Sequence, residues 1–104
     1  EIVNHNLAKN CKLGFHSHNS LQLSFSNTKT LLKMGIKREI IIDSCLYGMG
    51  RGAGNLCTEL IAKYLNDNNL GEYNISPLLK SIDIDLKPIY QKTFYLFLKD
   101  FMKT

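Results

Sequence analysis

Hydrophobic positions along the chain fall into two kinds of run. Glu39-Ile40-Ile41-Ile42-Asp43 sets three isoleucines side by side with no polar alternation, the pattern of a strand buried on both faces in a parallel sheet. Lys12 to Phe15 is a shorter apolar strand candidate that ends at His16. Between these strands, Leu21, Phe25, Leu31 and Leu32 recur at helical spacing, predicting a helix capped by Ser20, running to Met34 and stopped by Gly35. A second helical stripe, Leu56, Leu60, Ile61, Tyr64 and Leu65, predicts a helix over 55–67 with Asn55 as its cap. Residues 66–69 and Gly71 end it.

Residues 1–10 read as the tail of a helix entered without a start signal, as though cut from something longer. Ser76 followed by Pro77 predicts a short helix, and Pro88 opens a last one carrying Tyr90, Phe94, Tyr95, Phe97, Leu98 and Phe101. The resulting order, helix–strand–helix–strand–helix–helix–helix, implies an α/β chain with parallel strands and right-handed crossovers. It divides into an α/β segment over 1–70 and a helical tail over 71–104.

Composition narrows the class. The 104 residues are 44% hydrophobic and 21% charged, which suits a globular chain. A full α/β barrel needs roughly 250 residues. No apolar run approaches the roughly 20 residues of a membrane span. No basic-then-apolar leader opens the chain, so a cytoplasmic protein is the default expectation. Net charge is +4, but the lysines are scattered and no basic block is interleaved with aromatics, which argues against nucleic acid. Cys11, Cys45 and Cys57 are odd in number and form no CxxC pair, so reduced thiols are expected. Cys45 and Cys57 flank a glycine loop, where buried structural thiols are the plain reading.

Two stretches carry candidate chemistry. In Phe15-His16-Ser17-His18-Asn19, alternate residues point the same way, so His16 and His18 project together and Ser17 turns away. Two imidazoles so placed can hold a divalent metal. A chance His-x-His pair is as common as a ligand pair, but the C-terminal end of a parallel strand is where α/β active sites gather. The second stretch, Gly48-Met49-Gly50-Arg51-Gly52-Ala53-Gly54-Asn55, places four glycines within seven residues. Such a loop before a helix can bind an anion through backbone donors, or it can be only a tight turn. It has neither the Walker nor the dinucleotide-binding pattern. Asp43 could face the same site or serve a backbone amide. Arg51 could meet an anionic substrate or stand in solvent. Glu59 suits the first turn of its helix through the dipole, and His5 lies on a helix with little to recommend it.

Taken together, residues 13–65 resemble the hydroxymethylglutaryl-CoA lyase-like enzymes, the DRE-TIM metallolyases, and most closely their 4-hydroxy-2-oxovalerate aldolase branch. The shared pattern is a strand ending in HxHN, here His16 to Asn19; a helix with a central Asn, here Asn27; a strand ending in Asp43; and a glycine loop closing on Asn55. The resemblance implies a C-terminal segment of a (β/α)8 TIM barrel with His16 and His18 on its sixth strand. It implies a divalent metal, Mg or Mn first and Zn or Co next, held by His16, His18 and Asn55. It places Gly48, Gly50, Arg51, Gly52 and Gly54 beside a 2-oxo acid substrate. The chemistry implied is cleavage or formation of carbon–carbon bonds.

The family's first strand supplies a metal-binding Asp and a catalytic Arg, and nothing in this chain corresponds to them. No catalytic residue is therefore assigned here, and the N-terminal barrel half becomes an expected partner. Gln22 stands where the family usually has Gly. Unpaired edges at 12–17 and 38–45 predict association between copies. The alternatives are a non-catalytic barrel segment acting in binding or assembly, and a small anion-binding α/β module.

Overall fold

The computed structural model describes residues 1–103, without the side chains of Thr93, Phe94, Tyr95, Phe97 and Phe101. The elements in chain order are α1 (Ile2–Asn6), β1 (Leu13–His16), α2 (Ser24–Lys33), β2 (Ile40–Asp43), α3 (Thr58–Asp67), α4 (Ser76–Ser81) and α5 (Lys87–Met102). The chain forms two compact units, Glu1–Ile61 and Ala62–Thr104. The α/β order is the expected one. Among the described residues, no helix is long and apolar enough to cross a membrane.

In the first unit β1 and β2 pair in parallel, with Leu13 opposite Ile40, Phe15 opposite Ile42, and His16 opposite Asp43. Each strand alternates half-buried and exposed positions. Leu13, Phe15, Ile40 and Ile42 share the inner face, while Gly14, His16, Ile41 and Asp43 share the outer one. This corrects the expectation of a strand buried on both faces. Ile41 is 47% exposed, because no described element covers its side of the two-stranded sheet.

The expected helix from Ser20 is also corrected. Ser20–Gln22 forms one 3-10 turn, and Leu21 and Gln22 have φ of 54° and 58°. Those left-handed conformations, costly for residues with a Cβ, break the chain from the α2 axis, so α2 begins at Ser24. Leu21 is left 88% exposed. The cap position falls to Leu23, which has no side-chain cap bond, and the Asn19 carboxamide reaches the first helical residue instead: its Oδ1 accepts from the Ser24 hydroxyl at 2.9 Å and from the Ser24 amide at 3.4 Å. Ser24 and Thr28 become the buried face of α2, and the Thr28 hydroxyl donates to Ser24 O at 2.7 Å. Gly35 stops the helix as expected, at φ 68°.

Nor does Asn55 cap a helix. Residues 55–57 run between the continuations of both strands: Asn19 N donates to Gly54 O at 2.8 Å, and Cys45 N to Leu56 O at 2.9 Å. Bridges pair His18 with Asn55 and Cys45 with Cys57. The backbone at 55 is thus engaged in pairing, and α3 starts only at Thr58. Leu56 is fully buried and Ile61 4% exposed. Leu60, expected on the buried face, is 49% exposed, and the buried positions are Ile61 and Ala62.

In the second unit Ala62 and Ile82 are buried. Ser76 lies inside α4, not at its cap, which Ile75 occupies. Pro88 does not open a separate helix. A π turn, Ile82–Leu86, joins α4 directly to α5, and Pro88 is the second residue of α5. Proline lacks an amide donor and its ring crowds the carbonyl four residues back, so the turn before it widens. Of the expected aromatic stripe, Tyr90 and Leu98 are exposed. Phe94, Tyr95, Phe97 and Phe101 fall outside the described side chains.

Candidate metal centre

The parallel pairing carries two histidines and an aspartate to one end of the sheet. His16 is the last residue of β1, and Asp43, its partner in register, the last of β2. Their side chains meet on the outer face, His16 Nδ1 lying 3.2 Å from Asp43 Oδ2. His18 follows two residues later, and its ring stands edge-on to that of His16, centroids 5.1 Å apart at 81°. Ser17 turns inward as the alternation requires, its hydroxyl buried with no partner among the described residues.

Asn55, the third expected ligand, lies beside His18. Its bridge to His18 sets the backbone, and its Nδ2 donates to Met49 O at 2.8 Å and to Cys45 Sγ at 3.5 Å. These acceptors fix which end of the carboxamide is which. Oδ1 is then left buried and without a donor among the described residues. A buried acceptor without a partner is costly, and a cation is one group that would satisfy it. An open cleft of about 420 Å³ is lined by His16, Ile42, Asp43, Ser44, Cys45 and Asn55.

The glycine loop is shaped around Asn55. The Asn55 amide donates to Gly48 O at 3.0 Å. A methyl group at Gly50 would stand 2.5 Å from Asn55 Nδ2, and one at Gly54 would stand 2.3 Å from Gly48 O. At Gly48 it would meet Cys57 Sγ at 2.9 Å. These three positions lack room for a side chain. Gly52 has open space, though its φ is 60°. Arg51 is exposed, and neither it nor the glycines line the cleft.

Glu59 does more than favour the helix dipole. Its Oε2 accepts the amide of Tyr47 at 3.0 Å; Tyr47 has φ 58° in the turn that opens the loop. Burial pushes the Cys57 thiol up from its ordinary value, and the neighbouring Glu59 carboxylate adds to the shift. Cys57 is therefore a weak nucleophile, in keeping with a structural thiol. His5 lies apart from this site, along a groove with Glu1, Asn4, Met34, Gly35, Ile36 and Lys37. Asn27 is exposed on α2.

Among the described residues, no three His, Cys, Asp or Glu side chains gather as a metal set. The donors present are two imidazoles and one amide oxygen. That mixed set suits divalent ions from Mn to Zn and leaves coordination positions for further oxygens. The contact sequence reasoning undervalued is Asp43 with His16. The available signal was that both residues end strands expected to pair in parallel.

Comparison with known proteins agrees with this architecture. A sequence model of the HMGL-like family matches residues 1–91. The chain is 46% identical over 59 residues to 4-hydroxy-2-oxovalerate aldolase of Chloroflexus aggregans, covering 57% of this chain and 16% of that protein. It is 35% identical over 79 residues to the protein of the same name from Thermus thermophilus, covering 75% of this chain and 22% of that one. Among solved structures it resembles the N-terminal domain of a provisionally assigned aldolase from Bacteroides vulgatus. The TM-score is 0.60 at 34% identity, covering 76% of this chain and 25% of that one. The chain thus spans less than a quarter of the length of these curated relatives.

Proposed function

Because the chain belongs to the HMGL-like family, we propose that it supplies the histidine-bearing part of a divalent-metal-dependent carbon–carbon lyase acting on 2-oxo acids, of the 4-hydroxy-2-oxovalerate aldolase kind. The observations that support this reading are the adjacent His16 and His18 rings at one sheet end, the bridge that brings Asn55 beside His18, and an Asn55 Oδ1 buried without a partner among the described residues. Those three residues would hold the ion, Mg or Mn first, Zn or Co next. When bound, the ion polarises the 2-oxo group and stabilises enolate charge.

The chain's own residues do the rest of the local work. Met49 O orients the Asn55 amide, and the glycines let the loop close on it. The resemblance assigns the loop's backbone donors and Arg51 to the substrate carboxylate, although Arg51 is exposed and the loop lies outside the cleft lining. The cleft contains no arginine, so the charge complement that carbon–carbon cleavage requires is assigned to a barrel half supplied by a longer protein or a partner. The three unpaired cysteines suit a reducing compartment, and a cytoplasmic setting belongs to the same reading.

A metal titration tests this. Mn(II) or Co(II) should bind the chain in a manner abolished by His16→Ala and by His18→Ala. Release of pyruvate from 4-hydroxy-2-oxovalerate by the chain alone should stay at background. Failure of both ions to bind would remove the metal reading. It would favour the second one, a non-catalytic segment acting in assembly; no group of three His, Cys, Asp or Glu side chains gathers among the described residues. Metal-dependent turnover by the chain alone would show that the site needs no partner.

A further inference from the structure

We propose that Asp43 is a positioning residue for this site: its carboxylate accepts the Nδ1–H of His16 and so selects the imidazole tautomer whose Nε2 lone pair is left for a ligand. The metal consequence rests on the function proposed above; the tautomer itself does not.

The argument is one of donors and acceptors. An ionised carboxylate can only accept hydrogen bonds. His16 Nδ1 lies 3.2 Å from Asp43 Oδ2, so in this contact the proton sits on Nδ1. A neutral imidazole has one N–H, and Nε2 is then an acceptor with an available electron pair. Free imidazole side chains in water favour the opposite tautomer, with the proton on Nε2. The contact therefore reverses a preference that would otherwise leave Nδ1, the nitrogen nearer the backbone, as the donor to a metal.

Topology makes the contact specific. The two residues are 27 positions apart in sequence and meet only because parallel pairing places them opposite one another at the ends of β1 and β2. Residues paired in register project from the same face of a sheet. His18 has no such partner: among the described residues its ring contact is the edge of His16. The two imidazoles are thus unequal, His16 preset and His18 left to adjust. The His16 and Asp43 side chains are 53% and 61% exposed, so the contact adds little to folding. Its effect is on which nitrogen carries the proton. Carboxylate partners of this kind fix the tautomer and ring orientation of metal-binding imidazoles.

Long-range proton–nitrogen NMR of the chain at alkaline pH, without metal, reads the tautomer directly. His16 should show a pyrrole-like Nδ1 and a pyridine-like Nε2. In Asp43→Ala the pattern should revert toward that of free imidazole, while His18 stays unchanged. Asp43→Asn, whose amide oxygen can still accept, should restore part of the wild-type pattern. A wild-type His16 protonated on Nε2, or a His16 pattern indifferent to Asp43→Ala, would overturn the proposal. In parallel, Co(II) affinity should fall about 10- to 100-fold in Asp43→Ala. A wild-type chain with the assigned tautomer but no Co(II) binding would keep the positioning role and remove the metal reading instead.

Discussion

Asn55 shows how much one side chain organises here. Its amide nitrogen, carboxamide nitrogen and carboxamide oxygen are each committed differently: to Gly48 O, to Met49 O, and to no donor among the described residues. Gly50→Ala would drive a methyl into that carboxamide, at 2.5 Å from Nδ2. Since the obstacle is a side chain held by two acceptors, we expect a loss of about 1–3 kcal/mol by urea unfolding together with loss of Co(II) binding. Gly52→Ala, in open space but at φ 60°, should cost about 1–2 kcal/mol and leave metal affinity unchanged. Equal metal losses in both variants would show that general loop strain, not the Asn55 contact, is responsible.

The second residue-scale prediction concerns Cys57. Its folded pKa lies above the ordinary 9.0, first through burial and then through Glu59. The folded state therefore holds the thiol proton more tightly than the unfolded state does. The resulting stability is present below the ordinary thiol pKa and is lost as pH rises through the folded value. Iodoacetamide should label Cys57 more slowly than exposed Cys11, and Glu59→Gln should narrow the gap. Equal rates at all three cysteines in the wild type would contradict the assignment.

At the scale of elements, the short α1 depends on a residue far along the chain. The Arg38 guanidinium donates to Asn4 Oδ1 at 2.7 Å and to the carbonyls of Asn4, Leu7, Ala8 and Cys11 at 2.7–3.1 Å. Carbonyls at a helix end lack intrahelical partners, and a planar cation with five donors can serve several of them at once. A five-residue helix is too short to hold itself. Arg38→Ala should destabilise the first unit by about 2–3 kcal/mol and remove exchange protection from α1 before the rest. Lysine, a point donor, should rescue little. Retention of α1 protection in Arg38→Ala would place its stability elsewhere.

Element boundaries also show where local patterns mislead. Ser20 has the composition of a cap, yet α2 starts only after Leu23, because Leu21 and Gln22 turn through left-handed conformations. Asn55 has it too, yet strand-like bridges claim its backbone first. In the first case a local backbone turn overrode the cap signal; in the second a partner 37 positions away did, and no local signal records such a partner.

At the scale of the whole molecule, the outer face of the sheet is the instructive part. His16, Asp43 and Ile41 share it, and nothing described covers Ile41. The two strands also have no further pairing partners among the described residues. Unpaired strand edges seek partners, and uncovered apolar faces do the same. Sedimentation equilibrium should therefore reveal concentration-dependent self-association of the chain. Addition of an Asp-Arg-bearing barrel half should compete with it. A monomer over the whole concentration range would exclude this expectation.

The sequence by itself determined the alternation of strands and helices, the two strand ends, the inward turn of Ser17, and the glycine stop at Gly35. These rest on periodicity and on backbone freedom, which are local properties. Tertiary structure alone decided that Asp43 meets His16, that the glycine loop wraps Asn55 and not merely a turn, and that one isoleucine face lies open. Each of those depends on strand register or on which layers are present to cover a face. Register is set by hydrogen bonds between residues tens of positions apart, so no window along the chain contains it.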